Sequence, residues 1–80
     1  MKNLLIISSK KYLSKKISKD IFKILDKNKF NYATHEIDSL EDEKYRSNKI
    51  DLVISIGGDG TALKAMRIAW QLNSPLINIG

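Results

Sequence analysis

Eighty residues and 9.1 kDa hold one small domain, since folded domains cluster near ~100–150 residues. The chain has no cysteine and one histidine, which excludes a disulfide scaffold and thiolate metal sites, argues against a His-built metal centre, and fits a reducing, cytoplasmic setting. A hydrophobic share of 42% excludes a disordered tail, while no apolar run approaches the ~20 residues of a membrane span and the N-terminus has no signal-peptide pattern.

Asn3 to Ser8 is a short apolar run ending in polar residues, the pattern of a strand buried on both faces. From Tyr12 to Lys27, Leu13, Ile17, Ile21, Ile24 and Leu25 fall at helical spacing and predict one helix with a single apolar stripe. Lysines take its other side. Residues 1–29 carry nine lysines against Asp20 and Asp26, a local excess of positive charge larger than the formal net charge of +5 for the whole chain. A basic surface of this kind can bind nucleic acid. The wet face of a surface helix explains the same lysines more simply.

Asn28 and Asn31 interrupt the helical period, and Tyr32 to Ile37 predicts a second strand. Residues 38–49 read as a polar loop with at most a helical turn. Asp38, Glu41, Asp42 and Glu43 lack the glycine and the alternation of a calcium loop. Asp51 to Ile56 is β-branched, almost wholly apolar, and predicts the clearest strand. Gly57-Gly58-Asp59-Gly60 stops it. From Thr61 to Leu72, Ala62, Ala65, Met66, Ala69 and Leu72, broadened by Leu63 and Trp70, predict a largely buried helix with Trp70 in the core. Asn73-Ser74-Pro75 ends that helix, and Leu76 to Ile79 predicts a further buried strand. This order implies βαβ units: an α/β fold with a mainly parallel sheet and flanking helices, which binds ligands beyond the carboxyl ends of its strands.

The Gly57 to Thr61 turn lies at that edge. Gly57, Gly58 and Gly60 remove side chains where a strand turns into a helix, so that N–H groups can approach an anion, and the helix that follows adds free donors and a partial positive charge. Phosphate suits such a turn. Asp59 would repel phosphate unless its charge serves the chemistry, either by accepting a proton from an attacking hydroxyl or by holding a magnesium ion that bridges phosphate oxygens. Both roles belong to phosphoryl transfer. The plain alternative is that Asp59 caps the helix and the glycines only permit the bend.

The segment Asp51 to Leu63, DLVISIGGDGTAL, closely resembles the diagnostic stretch of the NAD kinase family. That resemblance implies the Rossmann-like N-terminal part of the NAD kinase and diacylglycerol kinase fold. It implies Asp59 as the base that contacts the 2′-hydroxyl of the NAD adenosine ribose, with Gly57, Gly58, Gly60 and Thr61 receiving the ATP phosphates. Leu63 would line the dinucleotide pocket. It further implies ATP and NAD as small-molecule substrates and Mg²⁺ or another divalent cation as cofactor. No nucleic-acid or membrane partner is implied, no metal ligand is assigned within these residues, and the full-length parent would be a homo-oligomer. Lipid kinases of the diacylglycerol and sphingosine type share GGDGT but continue with an Asn-Glu helix start, where this chain has Ala62-Leu63-Lys64-Ala65. Phosphofructokinases differ at the first strand exit, Ser8-Ser9-Lys10-Lys11 here. A basic nucleic-acid module built on Lys10 to Lys29 is the remaining alternative.

Asn78 stands where the family commonly has the first glycine of Gly-Ile-Asn-x-Gly. The family's Asn-Glu pair and its second, β-rich domain lie downstream of the matching region. The expectation is that residues 1–80 form a partial N-terminal α/β nucleotide-binding domain without the C-terminal β domain, inactive on its own. His35 reads as a packed or solvated strand residue, and Lys64 and Arg67 as solvated.

Overall fold

A computed structural model describes residues 3–36 and 49–79, apart from the side chain of Leu13. The expected strand at Asn3 to Ser8 is β1 (Asn3–Ser8), and every residue after Asn3 in it is buried. Four consecutive apolar side chains, Leu4 to Ile7, can all be buried only where helices cover both sheet faces. Two helices follow, α1 (Lys10–Leu13) and α2 (Lys16–Lys27), then β2 (Asn31–Glu36). After residues 37–48, β3 (Leu52–Ile56), α3 (Asp59–Leu72) and β4 (Leu76–Ile79) complete the described chain.

All strand pairs are parallel and the sheet order is β2-β1-β3-β4. Leu5, Ile7 and Val53 pack under Ala65, Ile68 and Ala69 of α3 on one face. Leu4, Ile6, Ile54 and Ile56 meet Leu25 of α2 on the other, with Ile21, Phe22 and Tyr32 around them. The molecule is thus an α/β three-layer arrangement with an all-parallel sheet. β1 and β3 form its buried centre, as their apolar runs predict. β2 and β4 are edges, and β4 corrects an expectation: Leu76 and Ile79 are half-buried while Ile77 and Asn78 are exposed. An edge strand has a neighbour on one side only, so its apolar run is not evidence of full burial.

The predicted single helix is broken. Ser14 closes α1, Lys15 is extended at ψ 155°, and α2 starts at Lys16. The Tyr12 carbonyl accepts from the Lys15 N–H at 3.1 Å and the buried Ser18 hydroxyl at 2.5 Å, which fixes the break. With the register reset, α2 turns Ser18, Ile21, Phe22 and Leu25 inward, while Ile17 and Ile24 of the expected stripe are exposed. The start of the second strand shifts by one residue to Asn31. Ile37, residues 38–48 of the loop assigned to 38–49, and with them the acidic residues Asp38, Glu41, Asp42 and Glu43, lie outside the described residues.

Helix α3 turns Thr61, Ala65, Ile68 and Ala69 to the sheet. Trp70, expected in the core, is 83% exposed, and Met66 and Leu63 are exposed beside it. Apart from the polar stripe of Lys64, Arg67 and Gln71 the helix is apolar, and that apolar arc is wide enough to offer two faces. Small residues decide between them, because Ala65 and Ala69 let the helix axis approach β1 and β3 closely. At its C-terminus Asn73 adopts the left-handed conformation (φ 54°, ψ 42°), and the Ser74 N–H donates to the Ala69 carbonyl at 2.9 Å. Asparagine tolerates that conformation, which explains why Asn73-Ser74-Pro75 stops the helix.

Candidate functional site

Because all four strands are parallel, their carboxyl ends share one edge, at Ser8, Glu36, Ile56 and Ile79. The chain leaves β1 through helices on one face to reach β2, and leaves β3 through a helix on the other face to reach β4. Connections that diverge in this way open a crevice between the ends of β1 and β3, where ligands of open α/β sheets bind. Ser8 pairs with Ile56 in the ladder. The Gly57-Gly58-Asp59-Gly60 turn therefore emerges at that crevice, directly beside the exit of β1.

Backbone contacts and sterics hold the turn. The Gly57 N–H donates to the Ile79 carbonyl at 3.0 Å, tying it to β4. Gly57 has φ +151°, and a Cβ there would lie 2.9 Å from the Thr61 Oγ1. Nothing lies within 4 Å of a Cβ at Gly58 or Gly60, both exposed. Gly57 is thus required by the chain itself, whereas Gly58 and Gly60 leave open space beside the backbone.

The helix begins two residues earlier than Thr61. Gly58 is its N-cap and Asp59 its first residue. The Ala62 N–H donates to the Gly58 carbonyl at 3.1 Å, so the N–H groups of Asp59, Gly60 and Thr61 precede the first intrahelical bond. No side chain caps them. Asp59 is exposed, an acidic residue in the first turn of the helix. The Thr61 side chain is buried against Gly57, leaving its N–H as the group it can offer to a ligand. Leu63 lies a turn further along α3 and is 66% exposed.

Of the residues singled out from sequence, Gly57, Gly58, Asp59, Gly60 and Thr61 are contiguous in the turn and the start of α3 at the carboxyl edge of the sheet, with Leu63 further along the same helix. Lys64 and Arg67 are exposed on α3, and His35 is half-buried in β2. Among the described residues no group of three acidic, histidine or cysteine side chains is placed to hold a metal. Also among them, no helix is long and apolar enough to cross a membrane. An open cleft of about 290 Å³ is lined by Asn3, Leu4, Asn31, Tyr32, Ala33, Lys49 and Ile50. It sits at the opposite, amino-terminal edge of the sheet, away from every residue of the turn.

Sequence patterns did not connect Ser9, Lys10 and Lys11 with the turn. They follow β1, the turn follows β3, and only the strand order makes them neighbours. No local pattern carries that information.

Comparison with known proteins agrees with this geometry. The family model for the ATP-NAD kinase N-terminal domain matches residues 6–80. No curated protein gives a match. A match that takes in β1, the GGDG turn and β4 together, on a parallel sheet with the turn at its switch point, places the chain in the NAD kinase family, within its N-terminal domain.

Proposed function

We propose that this chain supplies the phosphate-receiving turn and the base of an NAD kinase, which transfers the γ-phosphoryl group of ATP to the 2′-hydroxyl of the NAD adenosine ribose to give NADP. The observation that carries the reading is Asp59: an exposed carboxylate at the first position of α3, between glycines, at the crevice between β1 and β3.

Asp59 accepts the proton of the ribose hydroxyl as its oxygen bonds to the γ-phosphorus and the bond to the β-phosphate oxygen breaks. The ADP leaving group departs with the bonding pair. The uncapped N–H groups of Asp59, Gly60 and Thr61 donate to phosphate oxygens, and the open flank at Gly58 and Gly60 lets those oxygens reach the backbone. Leu63 offers apolar surface to the dinucleotide. A single exposed carboxylate beside phosphate oxygens suits Mg²⁺, which takes one or two protein carboxylates and completes its shell with substrate oxygens and water. When bound with ATP the ion offsets charge on the phosphate chain.

The protein expressed from its complete coding sequence, assayed for NADP formation from NAD, ATP and Mg²⁺, tests the reading. Asp59→Asn keeps the shape and removes the base, so turnover should fall ~10²–10⁴-fold. Full turnover in that variant would reject the base assignment. An inactive unsubstituted protein would reject the reaction.

A further inference from the structure

The turn presents an electrostatic problem. Asp59 places a negative charge where its neighbouring N–H groups attract a triphosphate. A site that binds a polyanion in that field needs cations. The helix N-terminus contributes only about half an elementary charge.

The neighbouring strand exit carries cations. β1 ends at Ser8, whose ladder partner is Ile56; Lys10 follows shortly after the first of these strand ends, and Asp59 follows the second just past Gly58. Lys10 and Lys11 are exposed, and among the described residues no carboxylate pairs with either. Lys15, by contrast, is placed over the Tyr12 ring at 4.6 Å. Lys64 and Arg67 lie further along α3, on the helix leading away from the strand ends. The connection through Lys10 runs to one face of the sheet and the connection through Asp59 to the other. The two lysines and the glycine turn therefore leave adjacent strand ends at one edge of the sheet, toward opposite faces.

We infer that Lys10 and Lys11 bind the phosphate chain of the phosphoryl donor from the β1 side, while the turn holds it from the β3 side. The inference rests on the phosphoryl-transfer reading above and extends it to a second strand exit. The shared chemistry is a linear triphosphate, which ATP and inorganic polyphosphate both provide. The charges complement each other: two ammonium groups outweigh the single carboxylate of Asp59 and leave net positive charge for the donor's phosphates, beside the backbone donors.

Calorimetric titration of the protein expressed from its complete coding sequence, with ATP and separately with inorganic tripolyphosphate, tests this. Lys10→Gln with Lys11→Gln should weaken binding about tenfold and flatten its salt dependence. Lys10→Arg with Lys11→Arg should keep most of the affinity. Lys23→Gln with Lys27→Gln, on exposed positions of α2, makes the same change in net charge and should alter nothing. Loss with ATP alone identifies a nucleotide donor, and loss with both ligands identifies recognition of the phosphate chain itself; either supports the inference. In the assay for NADP the Gln pair should raise KM for ATP and leave KM for NAD unchanged. Unaltered affinity for both ligands in the Gln pair, equal loss in the α2 control, or no triphosphate binding by the unsubstituted protein would overturn it. The two readings separate cleanly: lysine-dependent triphosphate binding without NADP formation defeats only the reaction, whereas NADP formation with an unchanged KM for ATP in the Gln pair defeats only the lysines.

Discussion

Gly57 and Gly60 share one short turn, yet the chain needs them for different reasons. Gly57 combines φ +151°, rarely adopted by other residues, with a Thr61 side chain 2.9 Å from any added Cβ. Gly57→Ala should therefore destabilise the fold by about 1–3 kcal/mol, read from urea or thermal unfolding. Gly60 is helical, exposed and has free space around it. Gly60→Ala should instead stabilise the helix by about 0.5–1 kcal/mol, while filling the flank that a phosphate would approach. A more stable protein with weaker ATP binding would separate the role of Gly60 in recognition from any role in folding. Equal destabilisation by both substitutions would contradict this division. In the sequence the glycines form one motif; the Thr61 contact distinguishes them.

At the scale of elements, β3 and β4 are held together directly below the turn. Ser55 and Asn78 face each other in the ladder, and the buried Ser55 hydroxyl donates to Asn78 Oδ1 at 2.6 Å. Asn78 is exposed, so the two truncations are unequal. Ser55→Ala leaves an acceptor that water can reach and should cost about 1 kcal/mol, whereas Asn78→Ala strands a buried hydroxyl and should cost about 1–3 kcal/mol. Chemical denaturation of the two variants decides the order. Asn78 thus has a physical role: its side chain satisfies a polar group of the central strand that the sheet would otherwise bury unpaired.

The contact between α2 and β2 adds a pH dependence. The Tyr32 hydroxyl donates to Asp26 Oδ1 at 2.9 Å, and its ring stacks on Phe22 with centroids 5.5 Å apart. The hydrogen bond to Asp26, with smaller effects of desolvation and of the carboxylate charge, raises the phenol pKa above its ordinary value near 10. A raised folded-state pKa means the bonded, protonated phenol stabilises the fold fully below pH ~10 and loses that contribution as pH climbs through the raised value. Tyr32→Phe keeps the ring stack and removes the proton. Its stability deficit relative to the unsubstituted chain should shrink above pH ~10, and a deficit that stays constant there would refute the assignment.

For the molecule as a whole, the outer face of α3 is the conspicuous feature. Leu63, Met66 and Trp70 follow one another along it at helical spacing, all exposed. Trp70 is the chain's single tryptophan, so its fluorescence reports on this face alone. Emission of the 80-residue chain should be red-shifted and readily quenched by iodide, and a blue-shifted, protected signal would show the face covered. The expectation of a buried Trp70 failed because an apolar arc wider than one packing face does not announce which part of it meets the sheet.

The local patterns of the chain determined the elements themselves. Three apolar runs and the mixed segment from Tyr32 marked four strands, Asn73 and Pro75 marked the end of a helix, and GGDG between a β-branched run and an amphipathic segment located the turn with Asp59 in it, because backbone conformation and side-chain periodicity are properties of neighbouring residues. Tertiary structure alone decided which strands lie at the edges, which face of α3 is buried, where the first helix breaks, and that the β1 exit with Lys10 and Lys11 borders the turn. Those outcomes depend on pairings between residues far apart in the chain, such as Ser8 with Ile56, and on how closely side chains let two layers approach. Neither quantity is written in a local run of residues.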